Sequence, residues 1–315
     1  MLLSICIPTY NRADCLHKTL LSIVEARQFE EKCEIVISDN NSSDSTREVV
    51  SSFTSKYENI RYYKNDSNVG ADKNFINLLN LGNGKYLKLH SDKTLFCKDK
   101  LDALLYYLSN LDSPSIFLLN QGTNNQTRNV VECKNLNEFV DVVSFMSTWM
   151  SGAIYRKSDY QNITGVENKI GLHLIQTYLL FKMVSEHSKA IVITEHLMQE
   201  LEVEKGGYNL FEVFICNYLA LYNDLLQKHI LSRQVYNMEK KRLLQNFIFP
   251  WYTLIVLKKD KKYKFDMSNS NSIIFRYYWR EYRLYLFPLY LLKTALVRTM
   301  LHLRNFLTGS VMSTI

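Results

Sequence analysis

The sequence predicts an α/β protein, with a mostly parallel sheet flanked by helices and a helical, basic C-terminal region. Three observations carry that expectation. Over the first 120 residues, short apolar runs alternate with segments of helical periodicity. Hydrophobic residues make up 47% of the 315 and charged residues 22%, the balance of a chain that buries a core rather than a disordered or collagenous one. Charge is also lopsided. Residues 233–315 hold 15 Lys and Arg against 4 Asp and Glu, and the first 232 hold 23 against 27, so the net charge of +7 arises in the last quarter.

The elements follow in order. Leu3–Pro8 is a continuous apolar run closing on Thr9-Tyr10-Asn11, as expected of a parallel strand buried on both faces and its loop. Leu16, Leu20, Ile23 and Val24 give Leu16–Ala26 a helical period. Cys33–Ser38 is the second strand, after which Asp44 or Ser45 caps a helix running to about Tyr57. Ile60–Lys64 is the third strand and Asp72–Leu81 the next helix. Gly84-Lys85 turns into the strand Tyr86–His90, Asp99–Leu108 is helical, and Ile116–Asn120 is a further strand. Strand and helix alternate throughout, which implies right-handed crossovers and ligand binding beyond the carboxyl ends of the strands. That directs attention to Thr9–Arg12, Asp39–Asp44 and His90–Thr94. A polar stretch follows Gln121, then a central segment Trp149–Arg156. Helical patterns recur over Leu172–Val184, Phe211–Leu226 and 233–257, Lys258–Lys264 is a basic run, and Asp266–Ser272 reads as a linker. The organisation expected is 1–120, 121–232 and 233–315.

Several classes are excluded. The six cysteines form no CxxC pair or zinc-ligand spacing, and Cys6 and Cys33 sit in apolar runs as small core residues. Met1-Leu2-Leu3-Ser4 lacks a basic region followed by a long apolar one, and the longest apolar runs, Phe247–Leu257 and Leu284–Leu292, are short of the roughly 20 residues a membrane span needs. A cytoplasmic protein is expected. The phosphate-binding patterns GxxxxGK[ST] and GxGxxG are missing, as are HExxH and GxSxG. Nucleotide binding would then rest on side chains and a metal.

The side chains for it stand at the strand ends. Asp39, after an apolar strand in Ser38-Asp39-Asn40-Asn41-Ser42-Ser43-Asp44, can accept from a base N–H or ribose hydroxyls, or belong to a helix-capping run. In Thr9-Tyr10-Asn11-Arg12 the Tyr can lie against a base and the Arg can meet phosphate with its fork of donors. Asn68-Val69-Gly70 and Asn74 offer backbone and amide donors, or a plain turn with Gly70 at positive φ. In Ser91-Asp92-Lys93, Asp92 can hold Mg²⁺ or Mn²⁺ shared with two phosphate oxygens or cap the next helix, and Lys93 can neutralise a diphosphate. In the tail, Arg276, Arg280 and Arg283 share a narrow helical arc beside Phe275, Trp279, Tyr282 and Leu286, with Pro288 expected to bend or break the helix. Aromatic residues beside a cationic stripe suit an anionic membrane surface, or a solvated packing helix. No RNA-binding signature accompanies them, so a nucleic-acid partner is not expected.

Pro8-Thr9-Tyr10-Asn11-Arg12, the Ser38–Asp44 run, Asn68-Val69-Gly70 and Gly84–Asp92 stand in the order and spacing of family 2 glycosyltransferases. The sequence resembles most the abequosyltransferase-like bacterial enzymes that build O-antigen and capsule chains. The likeness is strong over residues 1 to about 110, with a weaker echo at Ser151-Gly152-Ala153-Ile154-Tyr155-Arg156. It implies the GT-A (Rossmann-like) fold, a nucleotide-sugar donor (a UDP-sugar favoured), inversion at the anomeric carbon, a divalent cation and a lipid-linked glycan acceptor. It implies that Asp39 recognises the nucleotide, that Thr9 and Asn11 lie over it with Pro8, Tyr10, Arg12, Asn68, Gly70, Asn74, Ser91 and Lys93 around it, and that Asp92 serves catalysis and the metal. The sequence departs from the family twice. The Asp-x-Asp block reads Ser91-Asp92-Lys93, with one carboxylate. Where the family places an acidic base, Ile170–Gln176 offers only His173, whose ordinary pKa near 6.5 suits a base, with Asp159 and Glu167 as alternatives. Two other readings are a GT-A-like protein that binds nucleotide or glycan without turnover, and a nucleotidyltransferase, which would usually carry a glycine-rich loop.

Overall fold

The computed structural model describes residues 1–120, 129–258 and 261–292. The polar stretch at 121–128, Lys259 and Asp260 of the basic run, and residues 293–315 of the tail lie outside the described residues. The chain divides into two units, residues 1–203 with 220–239, and residues 204–219 with 240–315.

In the first unit the apolar runs become strands because a strand covered by helices on both faces has no polar side. β1 (Leu3–Thr9) is followed by α1 (Ala13–Val24), a short α2 (Phe29–Lys32), β2 (Cys33–Asp39), α3 (Thr46–Thr54), β3 (Ile60–Lys64) and α4 (Ala71–Leu81). Next come β4 (Tyr86–Leu89), β5 (Thr94–Phe96), α5 (Lys100–Asn110) and β6 (Ser115–Leu118). Then follow β7 (Val130–Cys133), α6 (Leu136–Val143), β8 (Ala153–Arg156), α7 (Lys157–Tyr160), α8 (Ile175–His187), β9 (Ala190–Ile193) and β10 (Met198–Glu200). The main sheet runs β3-β2-β1-β4-β8-β6-β9-β7. β1 to β4 are mutually parallel, with Thr9 level with Asp39 and Cys6 level with Leu89, so their loops leave from one edge. The core on this sheet gathers Ile5, Ile7, Leu20, Ile35, Ile37 and Tyr86 with residues of the helices.

One strand alters the expected topology. The sheet is mostly parallel as expected, but Ile116–Asn120 does not follow directly on β4: β8 lies between β4 and β6 and runs antiparallel to both, with Tyr86 opposite Arg156 and Ser115 opposite Tyr155. Four residues are too few for a periodic pattern, so Trp149–Arg156 gives only an unassigned segment from sequence. Likewise α8 begins at Ile175, three residues after the periodicity, because Gly171 and His173 adopt positive φ (98° and 56°) in the preceding loop. Short β5 and β10 pair antiparallel, placing Glu200 opposite Thr94.

The first unit also takes in most of α9 (Tyr218–Gln227) and α10 (Arg233–Leu243). In the second unit β11 (Lys205–Asn209) precedes π-type turns at Glu212–Asn217, α11 (Phe249–Trp251) sits between π-type turns at Leu244–Ile248 and Tyr252–Leu257, and β12 (Tyr263–Asp266) pairs parallel with β11. The many aromatic residues pack here: Phe214 on Phe247 at 4.4 Å between ring centres, and Trp251 on Tyr263 at 5.0 Å. The expected linker Asp266–Ser272 is instead a strand end, a turn in which Asp266 accepts the Ser268 N–H (2.8 Å), and the start of α12 (Ser270–Tyr277). The helical tail breaks at Tyr278 before α13 (Trp279–Glu281) and continues through Pro288, preceded by π-type turns at Tyr282–Leu286. Pro288 therefore does not break the helix. Ile274, Tyr278, Tyr282 and Leu286 are buried, so Tyr282 and Leu286 pack inward rather than joining the exposed stripe expected of them. Phe275, Trp279 and the three arginines stay exposed. Among the described residues no helix is long and apolar enough to cross a membrane.

Candidate active site

The loop after β1 is tied to the turn after β4. Thr9 Oγ1 donates to Asp92 Oδ2 (2.9 Å), and the Arg12 guanidinium meets Asp92 Oδ1 (3.3 Å). Thr19 of α1 donates to the Asp92 carbonyl (2.8 Å) from below. Asp92 is almost wholly buried. Burial raises its pKa above the usual carboxylate value, against the opposing pull of Arg12 and Thr9.

The loops after β1 and β2 interlock. Asn11, at φ 50°, accepts the Ser43 N–H (2.8 Å) on its side chain and donates its own N–H to Ser42 Oγ (2.8 Å). Asp44 accepts the N–H groups of Ala13 (3.0 Å) and Thr46 (3.1 Å), so the expected cap serves α1 and α3 together. Asp39 is buried, with the Ser42 N–H (2.7 Å) on one oxygen and the Tyr62 hydroxyl (2.6 Å) on the other. Burial and the Asp39 carboxylate push the Tyr62 pKa up, so this hydroxyl keeps its proton. A carboxylate has about four lone-pair positions, which leaves Asp39 acceptor capacity beyond these two donors.

Asn40 links this region to the next loop. Its side chain donates to Asn68 Oδ1 (2.8 Å) and accepts from Val69 N–H (2.9 Å), while Asn74 Oδ1 accepts from Ser38 Oγ (2.6 Å). Gly70, just before α4, has φ 82°, a region L side chains enter only with strain. Pro8 is level with Ser38 in the sheet, and Tyr10 projects with 46% of its surface exposed.

Behind the Asp92 turn, Ser151 Oγ accepts the Ser91 N–H (3.0 Å) and lies 3.0 Å from Thr94 Oγ1. Lys93 Nζ is 3.8 Å from Glu200, whose other oxygen accepts the Trp149 indole N–H (2.7 Å). Thus Thr9, Arg12 and Asp92 meet directly, Asn11 and Asp39 both bond to Ser42 of the loop after β2, and Asn68, Gly70 and Asn74 form the flank. The His173 side chain is exposed, and its loop is held by Asp72 at the start of α4 through the N–H groups of Gly171 (2.9 Å) and His173 (2.8 Å).

The two alternatives to His173 differ in their surroundings. Asp159 is consumed by the Arg156 guanidinium and lies 3.3 Å from His187; although burial raises its pKa, Arg156 prevails and lowers it. Glu167 is exposed in a short turn. Tyr62 and Asp72 sit in no motif, and Lys88 and Ser151, although inside the Gly84–Asp92 and Ser151–Arg156 segments, carried no role in the sequence reading, because each acts by reaching another segment.

A divalent cation would have Asp92 as its only carboxylate from this turn. No group of three or more His, Cys, Asp or Glu able to hold a metal occurs among the described residues. Such a donor set fits a hard cation that keeps several waters and takes its other ligands from a diphosphate.

Residues 4–143 match the Glycosyl transferase family 2 domain. The chain is 26% identical to abequosyltransferase RfbV of Salmonella typhimurium over 294 residues, 82% of this chain and 84% of that protein. It is 32% identical over 104 residues to the GalNAc(5)-diNAcBac-PP-undecaprenol beta-1,3-glucosyltransferase of Campylobacter jejuni, covering 33% of each chain. S. aureus TarS 1–349 in complex with UDP-GlcNAc shares the fold at TM-score 0.60 and 16% identity, covering 87% of this chain and 79% of that one. In a longer TarS structure the match spans only 44% of that chain. Mannosyltransferase PcManGT of Pyrobaculum calidifontis, in complex with GDP-Man and Mn²⁺, matches at TM-score 0.54 and 15% identity over 71% of this chain and 64% of that one. The domain match, the chain-long likeness to a sugar transferase and the shared fold agree: over residues 4–143 the chain matches the Glycosyl transferase family 2 domain, carried on the GT-A fold of its structural neighbours.

Proposed function

We propose that this enzyme is an inverting transferase that moves a sugar from a nucleotide-sugar, a UDP-sugar by preference, to a hydroxyl of a lipid-linked glycan. O-antigen or capsule synthesis is the setting that the likeness to RfbV favours. The observation that carries the reading is the grip of Thr9 and Arg12 on Asp92, beside the buried carboxylate of Asp39.

In this reading Asp39, kept in orientation by Ser42 and Tyr62, accepts from the nucleoside. Tyr10 lies against the base; Pro8, Asn11, Asn68, Gly70, Asn74 and Ser91 shape the surrounding loops. Arg12 and Lys93 face the diphosphate. A divalent cation, Mg²⁺ or Mn²⁺, would be held by Asp92 and would supply positive charge to the departing diphosphate. The acceptor hydroxyl forms a bond to the anomeric carbon as the bond to the diphosphate oxygen breaks, and its proton passes to the His173 imidazole. The exposed Phe275, Trp279, Arg276, Arg280 and Arg283 support binding at an anionic membrane surface, on the cytoplasmic face where a lipid-linked acceptor is met.

A thermal-shift screen of nucleoside diphosphates and their sugars, with and without Mn²⁺, followed by transfer assays on lipid-linked acceptors, tests the reading. Stabilisation by UDP or a UDP-sugar, increased by Mn²⁺, is expected; no shift with any nucleotide overturns it. A second reading, binding without turnover, is favoured by the single carboxylate of Ser91-Asp92-Lys93. Stabilisation with no transfer from any donor would select it.

A further inference from the structure

Beneath the Asp92 turn lies a cation with no carboxylate partner among the described residues. Lys88, on β4, is completely buried. Its Nζ donates to the carbonyls of Ser151 (2.6 Å) and Leu89 (3.1 Å) and lies 3.1 Å from His90 Nδ1. The ring of Phe96 stacks on His90 at 5.1 Å and also faces the ammonium.

The hydrogen-bonding roles follow from the neighbours. His90 Nε2 is 2.8 Å from the Thr94 carbonyl, which can only accept, so Nε2 carries a proton. Burial and the nearby Lys88 charge hold the His90 pKa well below 6.5, so the ring is neutral and Nδ1 is an acceptor. Three acceptors therefore surround Nζ. An ammonium has three protons and satisfies all of them; a neutral amine has two and leaves one acceptor unmet. Ser151, gripped through its carbonyl, holds the Ser91 N–H with its hydroxyl. The chain of contacts thus runs from Lys88 through Ser151 to the turn that presents Asp92.

We propose that Lys88 is a positioning residue whose protonated form fastens Ser151 to β4 and so keeps the Asp92 turn in its donor-binding shape. The proposal rests on the reading that the donor diphosphate sits at Asp92. Burial without a counter-ion draws the Lys88 pKa down to about 7, so the fastening weakens as pH rises through neutrality. The other titratable groups facing it stay silent there. His90 remains neutral, and burial raises the Cys6 thiol of β1 so that it keeps its proton. β5 and the Ser151 segment present Phe96, Thr94 and Ser151, which are uncharged.

The test measures the binding of UDP-glucose, UDP-galactose and UDP-GlcNAc by calorimetry to the full chain and to Lys88→Met, from about pH 6 to 8.5. The diphosphate diester of these probes does not titrate in that window, so the protein's own proton is what binding reports. Wild-type affinity should fall across neutrality, in step with titration of one buried lysine resonance in spectra of ¹³C-lysine-labelled protein. Lys88→Met should bind about ten- to a hundred-fold more weakly at the acid end and lose this pH dependence. The wild-type profile and resonance need no variant, so the test survives if Lys88→Met misfolds. Flat wild-type affinity, or a folded Lys88→Met with wild-type affinity and profile, overturns the role of Lys88 alone. Failure of all three probes to bind at every pH overturns the donor-site reading, and this proposal with it.

Discussion

Asp72 and His173 stand 101 positions apart, yet Asp72 Oδ2 accepts the His173 N–H at 2.8 Å. The same oxygen accepts the Gly171 N–H at 2.9 Å, so a single carboxylate secures a loop in which both residues have positive φ. Without it, two backbone donors lose their partner and the non-glycine strain at His173 is no longer offset. Asp72→Ala should cost about 1–3 kcal/mol of stability in chemical denaturation. It should lower turnover far more than donor affinity, with Asp72→Asn recovering part of the loss through its remaining acceptor. His173→Ala should give the same kinetic split with little loss of stability. Near-normal turnover in His173→Ala would discard this residue as the base.

Asp39→Ala should abolish donor binding while the chain stays folded, since the carboxylate closes a strand rather than a core layer. Tyr62→Phe should weaken donor binding less, because the Ser42 N–H still orients Asp39. Calorimetric titration with UDP-sugars, alongside circular dichroism, checks both. Unchanged affinity in Asp39→Ala would remove Asp39 from the site.

Glu34 contributes to the pH dependence of stability. Its oxygens accept from Ser4 Oγ (2.6 Å), the Asn83 N–H and the Arg61 guanidinium (2.8 Å), all reached from a largely buried position on β2. Burial alone would raise its pKa, but these donors prevail and lower it. A depressed folded-state pKa means that the unfolded chain takes up the proton first on acidification. The contribution is therefore fully present above the unfolded value of about 4.5 and is lost as pH falls through the lower folded value. Glu34→Ala should destabilise the protein at neutral pH by about 3–5 kcal/mol, since Arg61 and two further donors lose their partner. Glu34→Gln should flatten the acid limb of stability measured by urea unfolding at stepped pH.

The exposed tail residues predict vesicle binding. Full-length protein should sediment with anionic liposomes and not with neutral ones, and salt should weaken the interaction. Arg276→Glu with Arg280→Glu should release it, and Trp279→Ala should weaken it, because Trp279 is 59% exposed. These substitutions are preferable to deletion of 273–315, which would strip out the buried Ile274, Tyr278, Tyr282 and Leu286. No sedimentation of the full chain with anionic vesicles would end the membrane reading.

The first half of the fold was legible because its strands are apolar runs and its helices have clear periods, so β1 to β4 and their loops emerge nearly in place. The residues of the Asp39 and Asp92 loops were legible as candidates because the apolar strands before them fix where the chain leaves the sheet, although the hydrogen bonds that tie these loops together were not. Contacts joining distant segments were not. Nothing near Tyr62 marks it as the partner of Asp39, and Lys88 inside an apolar strand carries no signal that three acceptors await it. β8 was hidden by brevity. The tail shows another limit: a helical wheel ranks residues by angle, and the break at Tyr278 with the widened turn after it rotated Tyr282 and Leu286 inward.

The intercalated β8 has a practical bearing on how this enzyme can be dissected. Because β8 hydrogen-bonds to β4 on one side and β6 on the other, a fragment ending near residue 120 would present two raw, apolar strand borders to solvent. Unprotected borders of that kind recruit other chains. Such a truncation should come out of expression as an aggregate, whereas cuts made beyond β10 spare every rung of the main sheet and of the β5–β10 pair.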